Sequence, residues 1–141
     1  VSLYRALDVA LDAILADEQW FANRQRAAAA FAVGLEALGF NLLVKDARFR
    51  SPGVTAFGLR DEAANTVADV SKKLKAMGLD PAGGQGALKG RIIRMAHYHD
   101  FNWPEISLAL GSLYAALGEE RDGAGDFMRA AYAAWKSGKE Q

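Results

Sequence analysis

The residues richest in chemistry lie between Gly83 and His97, in the run Gly83-Gly84-Gln85-Gly86-Ala87-Leu88-Lys89-Gly90-Arg91-Ile92-Ile93-Arg94-Met95-Ala96-His97. The run opens as a glycine-rich loop and continues as a short apolar strand, Ile92 to Ala96, with an arginine at its middle. Alternation along a strand puts Arg94 on the side of Ile92 and Ala96, and turns Ile93 and Met95 the other way. An arginine among apolar neighbours is costly to bury unless an anion meets it. Its planar fork matches a carboxylate through two parallel hydrogen bonds, a geometry lysine does not reproduce. Arg94 is therefore a candidate grip for a small carboxylate at the mouth of a cleft. Pairing with an internal Asp or Glu is the alternative.

The glycines upstream let backbone turn sharply or come close to a ligand. They do not form a phosphate cradle of the P-loop or dinucleotide-binding kind, because such loops lead into a helix and this one leads into a β-branched strand. His97, His99 and Asp100 follow directly. Histidines two apart on an extended segment face the same way, so a metal pair is geometrically allowed, but no further histidine and no cysteine is present to complete a set. Surface or hydrogen-bonded histidines are the simpler reading, and no metal ligand is assigned.

The elements that must position these residues are bounded by composition. At 141 residues, half of them hydrophobic, the chain holds enough for one domain with a real core. Seventeen basic residues balance seventeen acidic ones, which argues against a nucleic-acid surface. The absence of cysteine excludes disulfide and thiolate chemistry. No apolar run approaches the roughly 20 residues that cross a bilayer. Val1 to Ala6 has neither the basic start nor the apolar core of a signal peptide, nor an initiator methionine, so a piece of a longer protein is expected.

Apolar spacing predicts an amphipathic helix over Val1 to Ala16, capped by Ser2, with Leu3, Leu7, Leu11 and Ile14 on one face. A second helix is predicted from Gln19 to Leu38, with the run Ala27 to Ala30 allowing a close neighbour and Gly39 ending it in the left-handed conformation. Strands are predicted at Phe40 to Val44 and Val54 to Leu59, around a charged connection and the turn Ser51-Pro52-Gly53. Asp61 to Met77 reads as a helix with Val67, Val70, Leu74 and Met77 inward and Lys72, Lys73 and Lys75 on its solvated side. Asn102, three places before Glu105 and followed by Trp103-Pro104, caps a helix buried through Ile106, Leu110, Leu113, Tyr114 and Leu117. Gly118 to Gly125 reads as a linker, Phe127 to Trp135 as a short helix and Lys136 to Gln141 as a frayed end. The fold class expected is α+β: a small, mostly antiparallel sheet with helices packed on one face, preceded by long N-terminal helices. The other sheet face then needs a cover from another domain or subunit, with Arg94 near it.

At this point several segments resemble one family in the right order. They are Val1-Ser2-Leu3-Tyr4, Gly34-Leu35-Glu36-Ala37-Leu38-Gly39, Leu43-Val44-Lys45-Asp46, Ser51-Pro52-Gly53-Val54-Thr55-Ala56, Gly83-Gly84-Gln85-Gly86, and Lys89 through His97. Together they are similar to the C-terminal small domain of class V, fold-type I pyridoxal-phosphate aminotransferases, in the serine–pyruvate and alanine–glyoxylate group. The resemblance covers Val1 to about Leu117. It implies a domain over 1–117 that includes the interdomain helix, with 118–141 a linker and helical tail.

The resemblance further implies that Arg94 binds the α-carboxylate of an amino acid and of a 2-oxo acid, and that Gly83, Gly84 and Gly86 shape a mobile rim over the substrate. His97 matches a position the family often fills with histidine, without a catalytic role. Pyridoxal 5'-phosphate, its Schiff-base lysine, the aspartate at the pyridine nitrogen and the phosphate cup would belong to a large domain preceding Val1. No lysine here stands in a matching context, so the chain alone is expected to be inactive, with no catalytic or cofactor-binding residue of its own. A cytoplasmic homodimer is implied, the first two helices joining domains and subunits, with no nucleic-acid or membrane partner. Tyr98-His99 departs from the family's smaller residues, and the tail after Gly118 has no counterpart. The reading that competes is a stand-alone α+β module that senses a small acid through the same Arg94.

Overall fold

The computed structural model describes residues 2–60, 65–98, 101–118 and 125–138. Among them the order of elements is α1 (Ser2–Ala16), α2 (Trp20–Ala37), β1 (Phe40–Leu42), β2 (Val54–Leu59), α3 (Val67–Ala76), β3 (Ala82–Gly83), β4 (Ile93–Ala96), α4 (Trp103–Leu117) and α5 (Asp126–Ser137). Short 3-10 turns at Ala47–Phe49 and Gly86–Leu88 lie in the connections.

The strands form one sheet in the order β1-β2-β4-β3, antiparallel throughout. Register pairs Phe40 with Leu59, Phe57 with Ile93, and Ala56 with Arg94. Alternation therefore gathers Phe40, Leu42, Phe57, Ile93 and Met95 on one face, all buried beneath the helices. The edge of Phe57 meets Phe31 of α2 at 6.4 Å and Phe40 at 5.0 Å, the tilted geometry aromatic quadrupoles favour. The α+β class, the antiparallel sheet and the long leading helices are as expected.

β2 has the predicted limits, and α2 ends as predicted, with Gly39 at a φ of +85° that an L side chain rarely takes. α2 carries the helical layer. Gly34 lets α4 and α5 come close, since a Cβ there would lie 2.4 Å from Leu110 Cδ1 and 3.2 Å from Ala131 Cβ. The predicted helix at 127–135 is α5, and its Phe127, Ala131 and Trp135 join the same core as α2 and α4.

Several expectations need correction. Ser2 lies inside α1 rather than capping it, and no residue of α1 is buried. Its apolar stripe is open: Leu3, Leu7, Leu11 and Ile14 are all exposed. α3 begins at Val67 rather than Asp61, because Thr66 accepts from Asp69 N–H while Asp69 Oδ2 accepts from Thr66 N–H, both at 3.1 Å, a closed capping box. Residues 61–64 of the longer helix lie outside those described. Met77 is 44% exposed, since it is the residue after the last turn and no longer follows the inward stripe. β1 stops at Leu42, leaving Leu43 and Val44 exposed. The glycine loop begins as an edge strand: Ala82 pairs with Arg94 and Gly83 with Ile93, backbone pairing that asks nothing of side chains. α4 starts at Trp103 as predicted, with Glu105 Oε2 accepting from Asn102 N–H at 2.9 Å. The expected linker falls mostly in 119–124, outside the described residues.

Candidate functional site: an arginine on the uncovered sheet face

Arg94 sits in β4 between Ala56 of β2 and Ala82 of β3. Its parity in the strand is opposite to that of Ile93 and Met95, so it projects from the face that α2 does not cover, and it is half-buried there. Its alanine neighbours leave it room. Arg94 Nε donates to the Gly83 carbonyl at 2.9 Å, which fixes the plane of the guanidinium against the edge strand. Among the described residues no carboxylate pairs with it, and its two terminal nitrogens have no hydrogen-bond partner. A guanidinium anchored at one nitrogen and open at the other two is arranged to receive an anion in the plane of its fork.

The three glycines hold different positions. Gly83 is in β3 and supplies the acceptor for Arg94. Gly84 is tightly enclosed: a Cβ there would stand 2.0 Å from the Leu88 carbonyl oxygen and 2.9 Å from Ile92 Cγ1. Gly86 takes a φ of +54° and opens the 3-10 turn, in free space. The loop is therefore shaped by glycine at Gly84 and Gly86, whereas Gly83 contributes backbone pairing.

His97 faces the other way. It continues the parity of Ile93 and Met95 into the core, where it is 2% exposed. Its backbone N–H donates to the Gly53 carbonyl at 2.8 Å, and its Nε2 lies 2.9 Å from Thr55 Oγ1. The ring stacks on Phe101 at 5.2 Å and meets Phe31 edge-on at 6.1 Å. Burial holds the imidazole below its ordinary pKa, the carbonyl of Pro52 and its own backbone oppose that shift, and the charge of Arg24 adds to it. His97 is a core histidine. Its predicted companions His99 and Asp100 lie outside the described residues, and no cluster of three metal-ligating side chains occurs among the described ones.

Sequence reasoning passed over Arg24, which is 5% exposed on the inner side of α2. The signal was available, since Arg24, Ala27, Phe31 and Leu35 follow at the three-and-four spacing of a buried helical stripe. A cleft of about 180 Å³ opens between α2 and the β1–β2 connection, lined among others by Gln25, Ala28, Arg50, Ser51 and Ala56, the last being the register partner of Arg94. Arg50 is engaged there by the carbonyls of Val44 at 3.1 Å and Lys45 at 2.9 Å, so it braces the connection.

No protein-family model matches the chain. It is 33% identical over 121 residues to the small subunit of a soluble hydrogenase from Synechococcus sp. (strain PCC 6716). It is 35% identical over 127 residues to an uncharacterized aminotransferase of Methanocaldococcus jannaschii. Each match takes in 84% of this chain, and the chain spans only 31% of the length of either relative. Among solved structures, the pyridoxamine–pyruvate aminotransferase of Mesorhizobium loti superposes with a TM-score of 0.80 and 24% identity, covering 93% of this chain and 34% of that one. None of the described helices is long and apolar enough to cross a membrane. Its antiparallel sheet and one-sided helical layer thus give the chain an aminotransferase-like fold, and its sequence is similar to about a third of each of the two sequence relatives.

Proposed function

We propose that this chain is the small C-terminal domain of a class V aminotransferase of the serine–pyruvate and alanine–glyoxylate group. The enzyme would move an amino group between a small amino acid and a 2-oxo acid such as pyruvate or glyoxylate. Arg94 would hold the substrate carboxylate, and Gly83, Gly84 and Gly86 would form the rim beside it. The observation that carries this reading is the Arg94 guanidinium itself. It is tied to Gly83 at 2.9 Å, is open at its other nitrogens among the described residues, and lies on a sheet face that no described helix covers. The pyruvate-linked name of the Mesorhizobium loti enzyme supports a small 2-oxo acid as acceptor.

The cofactor has no home among the described residues. A Schiff-base lysine must be desolvated or otherwise activated, and Lys45, Lys72, Lys73, Lys75, Lys89 and Lys136 are all exposed. Lys73 is bonded to the Ala116 carbonyl at 2.9 Å and Lys75 to Asp80 at 2.9 Å, contacts that brace α3. Pyridoxal phosphate would be held by the remainder of a longer polypeptide, in keeping with a chain that covers about a third of its relatives. That large domain would precede this one and meet the open sheet face. The small domain would occupy 1–117, with 118–141 a linker and helical tail. A cytoplasmic homodimer completes the proposal, with the exposed stripe of α1 as part of its joints. The test is the complete enzyme with Arg94→Ala: substrate KM rises if Arg94 holds the carboxylate, and an unchanged KM rejects the role.

A further inference from the structure

β1 and β2 separate before β2 ends. Their paired register stops at Leu42 and Phe57, and the last bond between them runs from Leu43 N–H to the Ala56 carbonyl at 2.9 Å. On the opposite side of β2, the Gly53 carbonyl accepts from His97 N–H at 2.8 Å. Backbone groups of successive strand residues point to alternate sides. Gly53, Thr55 and Phe57 therefore face β4, while Val54 and Ala56 face the lane that β1 has left. The N–H and carbonyl of Val54 and the N–H of Ala56 have no partner there among the described residues.

The cleft of about 180 Å³ occupies this lane. It is lined on the β2 side by Val54 and Ala56 and on the α2 side by Ala28 and Ala32. The connection between the strands closes over it through Val44 and Arg50. Arg50 Nε donates to the Val44 carbonyl and Nη2 to the Lys45 carbonyl, which holds the connection where a further strand would have to run. The space thus suits a small molecule rather than a peptide, and an apolar cavity of about 150 Å³ already holds a benzene ring. Glu36 Oε1 reaches Nη2 of Arg50 at 3.4 Å, and Nη1 has no partner among the described residues. Ser51 Oγ accepts from Gly53 N–H at 3.2 Å and keeps its own proton to donate.

The cleft therefore joins one cation and several free donors to walls of alanine and valine. Phosphate would meet the donors but would set charged oxygens against the apolar walls. A carboxylate on a short carbon arm satisfies both halves. We propose that the cleft binds a short aliphatic monocarboxylate, its oxygens on Arg50 Nη1 and the free N–H groups of β2 and its carbon arm against Ala28 and Ala32. Arg94 does not line the cleft, and the site stands without the role proposed for that residue.

The test is proton–nitrogen NMR of the full 141-residue chain carrying Arg94→Ala, which removes the other candidate grip for an acid. Sodium propionate is the probe, beside sodium chloride and sodium phosphate at equal ionic strength. Propionate is expected to give saturable shifts centred on the Val54 and Ala56 amides and the Arg50 side chain, with chloride and phosphate giving much smaller ones. Arg50→Met removes the cation, and Ala28→Leu fills the apolar side while leaving every donor in place. Each should weaken propionate binding roughly tenfold or more. Ala28 is a half-buried helical position where leucine is well accepted, so its variant decides the matter if Arg50→Met loosens the connection. Shifts that stay linear in propionate, or that centre away from Val54 and Ala56, overturn the site. A saturable response that phosphate reproduces overturns the carboxylate assignment, and one that Ala28→Leu leaves unchanged overturns the placement in the cleft.

Discussion

Arg94 Nε donates to the carbonyl of Gly83 at 2.9 Å, eleven residues earlier in the chain. That bond joins the centre of the glycine loop's strand partner to its edge and takes one nitrogen of the guanidinium out of play. The remaining face of the fork is presented in a fixed orientation, so less side-chain entropy is lost when an anion arrives.

The first prediction concerns this group. In the complete enzyme, Arg94→Ala is expected to raise the amino-acid KM by roughly 10- to 1000-fold, which corresponds to about 1.5–4 kcal/mol for a charge-assisted two-point contact. Arg94→Lys should recover only part of the loss, because an ammonium keeps the charge without the planar fork. Steady-state kinetics on amino and 2-oxo acids measure both.

Gly84 and Gly83 should separate cleanly. Gly84→Ala forces a Cβ to within 2.0 Å of the Leu88 carbonyl, a backbone atom that cannot rotate away. A loss of about 1–3 kcal/mol is expected from the resulting shift. Gly83→Ala meets nothing within 4 Å and should stay within about 0.5 kcal/mol of wild type. Urea titrations of both variants decide it, and equal effects would contradict the packing described.

His97 makes stability depend on pH. Its folded pKa lies below the ordinary imidazole value of 6.5, first because it is buried and also because Arg24 is near. Above both values neither state holds the proton and His97 contributes no slope. Below the unfolded value the unfolded chain takes up a proton that the folded chain refuses, so stability falls as pH falls. The slope ends once pH passes below the folded pKa. His97→Gln, which keeps a polar partner for Thr55, should flatten that acid-side slope in thermal melts. An unchanged slope would place the pH dependence elsewhere.

Trp135 tests whether α5 is integral to the fold. It is 7% exposed in the shared core, and Arg26 lies over its ring. Trp135→Ala is expected to cost about 3–5 kcal/mol, read as a lower urea midpoint. A change under about 0.5 kcal/mol would mean that the helix docks without contributing.

What the residues determined by themselves were the local and periodic features. Period two fixed the two faces of Val54–Leu59 and set Arg94 against Ile93 and Met95, because neighbouring strand residues cannot point the same way. Asn102, Pro104 and Glu105 fixed the start of α4, and Gly39 the end of α2, since caps depend on a few adjacent side chains. The resemblance of the segment around Arg94 to aminotransferases was also legible, being a matter of residues in order. Tertiary structure decided what depends on distant partners. The pairing of Ala82–Gly83 with β4 is made by backbone, which every sequence carries alike, so no side chain announced it. Whether Arg94 met an internal carboxylate or stayed open, and whether Arg24 was buried with or without one, turned on which elements came to rest beside them. The openness of α1 belongs to the same class: its spacing marked an apolar stripe, but only packing decides what lies against a stripe.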